Sequence, residues 1–119
     1  MDYRPKTLIV DIDGTLITHK KPNESANPNI DVELLDGTID KLLEWDRLGY
    51  KIILLTGRKE SMRSVTEKQL AEVGIFYDML IMGVGGGPRY IINDKKPDGR
   101  EAAFAVNIER NEGIGGIEL

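Results

Sequence analysis

The 119-residue chain has no cysteine, one histidine and no long apolar run. The absence of cysteine excludes disulfides, thiolate zinc sites and a cysteine nucleophile, and it fits a reducing compartment without proving one. No run is long enough to cross a bilayer, and no signal-peptide core follows the first residues. We therefore expect a cytoplasmic protein without membrane contact. A net charge of −4 argues against general binding to nucleic acids.

Apolar runs alternate with amphipathic stretches along the chain. The predicted strands are 7–12, 51–55, 79–82 and 89–92, and the predicted helices are 36–48 and 60–72. The run at 102–108 is interpreted as a last strand, with a short helix as the alternative. Alternating strands and helices predict right-handed βαβ units, and hence an α/β fold with a parallel sheet and helices on both faces.

The chain is long enough for one domain with a modest core. We assign this domain to residues 1–110. The polar, Asn- and Pro-rich segment 18–29 is long for a connection, which is typical of a functional flap, although a plain surface loop remains an alternative. Residues 111–119 are rich in glycine and predict a mobile tail.

Polar residues stand where three of the predicted strands end. Asp11 and Asp13 follow the first strand, Thr56 follows the second, and Asn93 and Asp94 follow the run at 89–92. In a parallel sheet these ends lie at one edge, which is where such folds bind ligands. Each motif alone is equally typical of a turn or a helix cap. Their joint occurrence favours a pocket for Mg²⁺ and phosphate.

These strand-end motifs resemble those of the haloacid dehalogenase superfamily of phosphohydrolases. The segments that carry the resemblance are Asp11-Ile12-Asp13-Gly14-Thr15, Leu54-Leu55-Thr56-Gly57-Arg58 and Ile91-Ile92-Asn93-Asp94. The spacing is similar to that of small members with a Rossmann-like domain and no cap domain. It is similar in particular to small phosphatases of bacterial capsule and lipopolysaccharide sugar pathways.

The resemblance implies a role for each matched residue. Asp11 would attack phosphorus and form an aspartyl-phosphate, and Asp13 would act as general acid and base. Asp11, Asp13 and Asp94 would hold Mg²⁺. The other residues expected around the phosphoryl group are Gly14, Thr15, Thr56, Gly57 and Arg58. For Arg58 the alternative is an ion pair with an acid such as Glu60.

The chain departs from the family pattern at the third motif, which is normally a Lys or Arg that neutralises the nucleophile and the phosphate. The corresponding region, Gly83 to Arg89, contains no lysine. Arg89, Lys95 or Lys96 could substitute, and Lys95 is preferred because it closely follows Asp94. The fourth motif also begins with Asn93, where many relatives have Asp.

The sequence therefore predicts a Mg²⁺-dependent phosphomonoester hydrolase. The departures from the family pattern leave open a second hypothesis, a catalytically weak or inactive module that binds phosphate or a partner. Transfer of the phosphoryl group to an acceptor other than water is a third. An open site favours a sugar phosphate or another extended substrate, and it leaves self-association open.

Overall fold

The computed structural model describes residues 3–21, 27 and 31–119. Three parallel strands form a sheet in the order β1-β2-β3. The elements are β1 (Thr7–Asp11), α1 (Thr38–Arg47), β2 (Lys51–Leu55), a 3₁₀ turn (Glu60–Met62), α2 (Arg63–Glu72) and β3 (Met79–Ile81). The predicted α/β fold with a parallel sheet is confirmed.

The register of the sheet aligns the carboxyl ends of the strands. Asp11 lies opposite Leu55, and Leu55 lies opposite Ile81. The alignment continues one residue further, because the Thr56 N–H donates to the Ile81 carbonyl at 3.0 Å. The residues that follow β1 and β2 therefore meet at one edge of the sheet, as their positions in the sequence predict.

The core lies where the sheet meets the two helices. Alternate residues of β2, Ile52 and Leu54, are buried, as the two-residue repeat of a strand requires. Leu42 and Trp45 lie three residues apart on one face of α1 and are also buried. Leu43 and Leu48 are exposed, so they do not share this buried face.

The predicted fourth strand at 89–92 is absent from the structure, and so is the one at 102–108. Tyr90, Ile91 and Ile92 have β propensity, but they are exposed, and Ile92 is 95% accessible. A strand needs a neighbour with which to exchange hydrogen bonds, and local composition does not supply one. Among the described residues, β1 pairs only with β2, so its outer edge carries no strand.

The glycine-rich tail is part of the fold, in contrast to the predicted mobile appendage. Ile114 is 1% exposed and belongs to the core cluster. Its N–H and that of Gly115 both donate to the Asp36 carbonyl, just before α1. The core contact outweighs the flexibility that the composition suggests.

Part of the predicted flap at 18–29, namely residues 22–26, 28 and 29, lies outside the described residues. Before this segment, Ile17 forms a single antiparallel bridge with Leu34. Within 3–21 and 31–119, no helix is long and apolar enough to cross a membrane.

Candidate active site

A tight turn directly after β1 presents the two predicted catalytic acids. The Ile12 carbonyl accepts hydrogen bonds from the N–H groups of residues 15–17 at 2.9–3.3 Å, and the Gly14 N–H donates to the Ile17 carbonyl at 2.7 Å. Gly14 has a φ of +86°, a conformation that a side chain would oppose. The turn therefore fixes the backbone that carries Asp11 and Asp13.

Asp13 is held by Arg58 in a bidentate ion pair. Arg58 Nε and Nη2 donate to the two carboxylate oxygens of Asp13 at 2.9 and 2.8 Å. Arg58 Nη1 donates to Thr66 Oγ1 at 3.1 Å and to Gln69 Oε1 at 2.7 Å. The Arg58 side chain is only 7% exposed. Four of its five N–H groups are thus committed within the protein.

This network bears on both predictions for Arg58, which were a phosphate ligand or the ion-pair partner of an acid such as Glu60. Its acid partner is Asp13, whereas Glu60 pairs with Arg63. One remaining N–H makes Arg58 better suited to orient Asp13 than to bind phosphate on its own. Its assignment as a phosphate ligand stays a prediction.

Helix α2 supplies the surroundings of Arg58. Thr66 and Gln69 are three residues apart, lie on the same face and are buried. At the start of α2, Arg63 donates to the Leu80 carbonyl and so ties the helix to β3. The hydrogen bond from Arg63 also holds the pKa of Glu60 below its ordinary value. The helix carries polar groups inward because a buried guanidinium needs acceptors.

Asp11 meets a different cation, Arg89. Arg89 Nη1 lies 2.9 Å from Asp11 Oδ1, and the other carboxylate oxygen meets the Thr15 hydroxyl at 3.5 Å. Lys95, the substitute preferred from the sequence, is exposed and makes no ion pair or hydrogen bond with a described residue. The cation beside the predicted nucleophile is therefore Arg89 in this structure.

Asp94 is not gathered with Asp11 and Asp13. Among the described residues, no group of three or more acidic or histidine side chains lies close enough to hold a metal ion. The physical reason is the absence of the fourth strand, which would carry Asp94 to the sheet edge. The three-carboxylate metal site stays a prediction of the sequence.

Thr56 and Gly57 form the turn that leaves β2. Thr56 is 1% exposed, and its hydroxyl oxygen accepts a hydrogen bond from the Arg58 N–H at 3.1 Å. Gly57 is exposed, and its N–H has no partner among the residues that the structure describes. An open N–H at this edge suits a phosphate oxygen. The Thr56 hydroxyl oxygen accepts a hydrogen bond within its own turn, so its main role in this structure is to stabilise that turn.

Sequence reasoning missed the contribution of the C-terminal segment to the site. The Asn111 N–H donates to the Gly14 carbonyl at 2.9 Å, and the His19 N–H donates to Asn111 Oδ1 at 2.8 Å. Arg110 packs beside Gly14. No local signal marks these residues, because the contacts join positions more than 90 residues apart.

Comparison with known families identifies the family of the chain. Residues 5–90 match the family of the polynucleotide kinase PNKP phosphatase domain. The chain belongs to this family. This membership confirms the resemblance to haloacid dehalogenase phosphohydrolases, and the predicted enzyme class agrees with it. No curated protein sequence matches the chain significantly.

Solved structures support the same placement. Two structures of a Pnkp1/Rnl/Hen1 complex, the second described as an RNA repair complex, match at 35% and 34% identity with TM-scores of 0.58 and 0.56. The matches cover 72% and 79% of this chain but only 30% and 28% of those chains. A structural-genomics target from Vibrio cholerae matches at 24% identity and a TM-score of 0.52, covering 74% of this chain and 79% of that one. The last match supports the fold alone.

Proposed function

We propose that the protein hydrolyses phosphate monoesters through an aspartyl-phosphate on Asp11, with Mg²⁺ as cofactor. The observation that carries the proposal is the pairing of two strand-end carboxylates with two separate arginines. Asp13 is oriented by Arg58, and Asp11 is neutralised by Arg89. The two acids differ in exposure, since the side chain of Asp13 is 17% exposed and that of Asp11 is 37% exposed.

The donor groups at the turn suit Mg²⁺ in kind. This ion prefers oxygen ligands, is often held by one or two carboxylates and keeps several waters. The Asp11 side chain is 37% exposed, and its Oδ2 has only the long contact to Thr15 among the described residues. Asp11 and the Asp13 main-chain carbonyl would hold the ion. Bound there, Mg²⁺ would supply positive charge that reduces repulsion between the nucleophile and the phosphoryl oxygens.

The protein residues carry the two chemical steps. In the first, a carboxylate oxygen of Asp11 bonds to phosphorus, the bond from phosphorus to the ester oxygen breaks, and Asp13 gives a proton to that oxygen. In the second, Asp13 takes a proton from water, the water oxygen bonds to phosphorus, and Asp11 is released as a carboxylate with inorganic phosphate.

The paired state of Asp13 is compatible with this role. Each carboxylate oxygen offers about two acceptor sites, and the bidentate contact with Arg58 uses one on each. Asp13 therefore keeps a site for the proton and the leaving oxygen. Arg58 holds the carboxyl group in one orientation while the proton moves.

For the substrate, we propose a phosphate at the end of a nucleic-acid strand. The support is the family to which the chain belongs and the two neighbours from an RNA repair complex. The net charge of −4 is no obstacle, because an enzyme of strand ends needs contacts with few phosphates. A sugar phosphate, favoured by the sequence, is the competing substrate.

The test compares wild type with Asp11→Asn and Asp46→Asn on an aryl phosphate, with Mg²⁺ or a chelator. Asp46 is an exposed acid at the far end of α1 and serves as a charge-matched control. We expect Mg²⁺-dependent turnover that falls about a thousand-fold or more in Asp11→Asn only. Equal activity in Asp11→Asn would contradict the proposed nucleophile, and wild-type turnover in chelator would contradict the cofactor.

The same assay selects the substrate and acceptor. Oligonucleotides with a terminal 3′ or 5′ phosphate are compared with hexose phosphates, and adding alcohols as competing acceptors reveals phosphoryl transfer to a group other than water. A preference for hexose phosphates would contradict the nucleic-acid substrate. The binding-module alternative rests mainly on the missing third-motif lysine, and the position of Arg89 weakens that support.

A further inference from the structure

The C-terminal strap, defined here as residues 110–117, forms hydrogen bonds with Gly14 in the turn after β1 and with His19 beyond that turn. Asn111 donates to the Gly14 carbonyl and accepts from the His19 N–H. Further along, Ile114 fills the core. The strap is thus anchored in the interior at one end and touches the turn after β1 at the other.

Close backbone contacts fix the position of the strap. A Cβ atom on Gly113 would lie 2.4 Å from the Asp36 carbonyl oxygen, and one on Gly37 would lie 2.2 Å from the Gly115 Cα. At the other end, Asn111 adopts a φ of 65°, a left-handed conformation that a non-glycine residue rarely takes. These constraints leave the strap little freedom to shift along the turn.

The strap places the side chain of Arg110 directly against Gly14. Arg110 Cγ and Cδ lie 3.2 and 3.9 Å from the position that a Cβ atom on Gly14 would occupy. Arg110 is exposed, and its guanidinium forms no ion pair or hydrogen bond with a described residue. It differs in this respect from Arg58 and Arg89, which are both paired with the acids of the site.

We propose that Arg110 binds a second phosphate group carried by the leaving group of the substrate. The inference rests on the proposed function. In that function, Asp13 gives a proton to the leaving oxygen, so the leaving group must lie beside Asp13. Gly14 is the next residue, and Arg110 covers it. A free guanidinium at that point binds phosphate through its planar fork of donors.

The second phosphate has two chemical sources: the neighbouring phosphate of a nucleotide and the other phosphate of a sugar bisphosphate. Both present the same charged group at a similar separation from the scissile ester. Arg110 would make the site prefer esters with two phosphates over esters with one. A charge-assisted hydrogen bond of this kind corresponds to about a 10- to 100-fold preference.

The test measures kcat and KM for wild type, Arg110→Gln, Arg110→Lys and Arg47→Gln. Arg47 is an exposed arginine in the last turn of α1 that pairs with none of the described residues, and its loss changes the net charge equally. The substrates are a nucleoside 3′,5′-bisphosphate with the matching 3′-monophosphate, and glucose 1,6-bisphosphate with glucose 1-phosphate. An aryl phosphate reports the chemistry without a second phosphate.

We expect Arg110→Gln to raise KM for one bisphosphate about 10-fold or more, with little change for its monophosphate or the aryl phosphate. Arg110→Lys should restore part of the preference, and Arg47→Gln should retain all of it. The bisphosphate that responds identifies the source.

Two other results separate the possible failures. An unchanged bisphosphate preference in Arg110→Gln, with active wild type, would overturn the role of Arg110 and leave the proposed function intact. An equal fall on all substrates would also overturn it, because the residue would then act on the turn itself. Absence of wild-type turnover on every ester would overturn the proposed function and this inference with it.

Discussion

Replacing Arg58 with methionine should destabilise the fold and disable the site together. The substitution keeps the aliphatic stem and removes the guanidinium. Four hydrogen bonds disappear, and the acceptors on Asp13, Thr66 and Gln69 lose their donors. Arg58 and Asp13 have side chains that are 7% and 17% exposed, so water replaces the lost contacts only in part.

The size of the effect follows from this burial. Breaking a buried ion pair by removing one partner costs about 3–5 kcal/mol. Because Asp13 keeps some contact with solvent, we expect about 2–4 kcal/mol here. With roughly 2.1 cal/mol/K of unfolding entropy per residue, a loss of about 3 kcal/mol lowers the Tm of a chain of this length by about 12 °C.

Urea unfolding followed by circular dichroism measures this loss. Arg47→Met is the control, because it removes an exposed arginine and should change the free energy of unfolding by less than about 0.5 kcal/mol. Arg58→Lys should fall between wild type and Arg58→Met, since lysine keeps the charge but lacks the fork geometry. Adding Asp13→Leu to Arg58→Met should recover stability, because no unpaired charge then remains.

Two results would refute the reasoning. A loss below about 1 kcal/mol in Arg58→Met would mean that the network contributes little to stability. A double variant that is less stable than the wild type by the sum of the losses in Arg58→Met and Asp13→Leu would mean that Arg58 and Asp13 act independently.

Three further predictions concern the cation, the strap and a tyrosine. Arg89→Ala should lower kcat on an aryl phosphate about 100-fold, and Lys95→Ala should leave it within about two-fold, because Arg89 and not Lys95 pairs with Asp11 among the described residues. The reverse order would restore the lysine assignment. Gly113→Ala should lower the free energy of unfolding, measured by urea denaturation, by at least about 2 kcal/mol, because its Cβ would collide with the Asp36 carbonyl at a positive φ. A Cβ on Gly116 meets nothing within 4 Å, so Gly116→Ala should be neutral. Burial raises the pKa of Tyr77 above its ordinary value of 10.0. The stability that the protonated phenol contributes below pH 10.0 should therefore fall as the pH rises through the shifted pKa. An ultraviolet titration measures that pKa, and a Tyr77→Phe variant should lack this alkaline loss of stability.

The sheet edge at which Asp11 and Thr56 meet was predictable because each of these residues sits at the end of an apolar run. β1 and β2 are short and apolar; β1 ends at Asp11, β2 is followed by Thr56, and the parallel topology alone brings these ends together. The helices were also accessible from sequence, since Gly49 and Gly74 adopt the left-handed conformation that ends each of them.

The contacts between distant residues were not predictable. The residues at 89–92 have the composition of a strand, yet whether they find an edge depends on the whole chain. The ion pair between Arg58 and Asp13 was likewise not predictable, because Asp13 lies 45 positions away in the sequence and Glu60 is the nearer acid. Ile114 was assigned to a loose tail on its glycine neighbours, although a single isoleucine sufficed to anchor that tail in the core.

The strap also affects the order in which parts of the protein fold. The turn after β1 is synthesised well before Asn111, the residue whose N–H donates to the Gly14 carbonyl. Pairing of such distant residues carries a large loop-closure entropy and forms late in folding. A nascent chain can therefore form its sheet before Asn111 hydrogen-bonds to the turn after β1. Activity should then appear after the secondary structure during refolding, as a separate and slower kinetic phase.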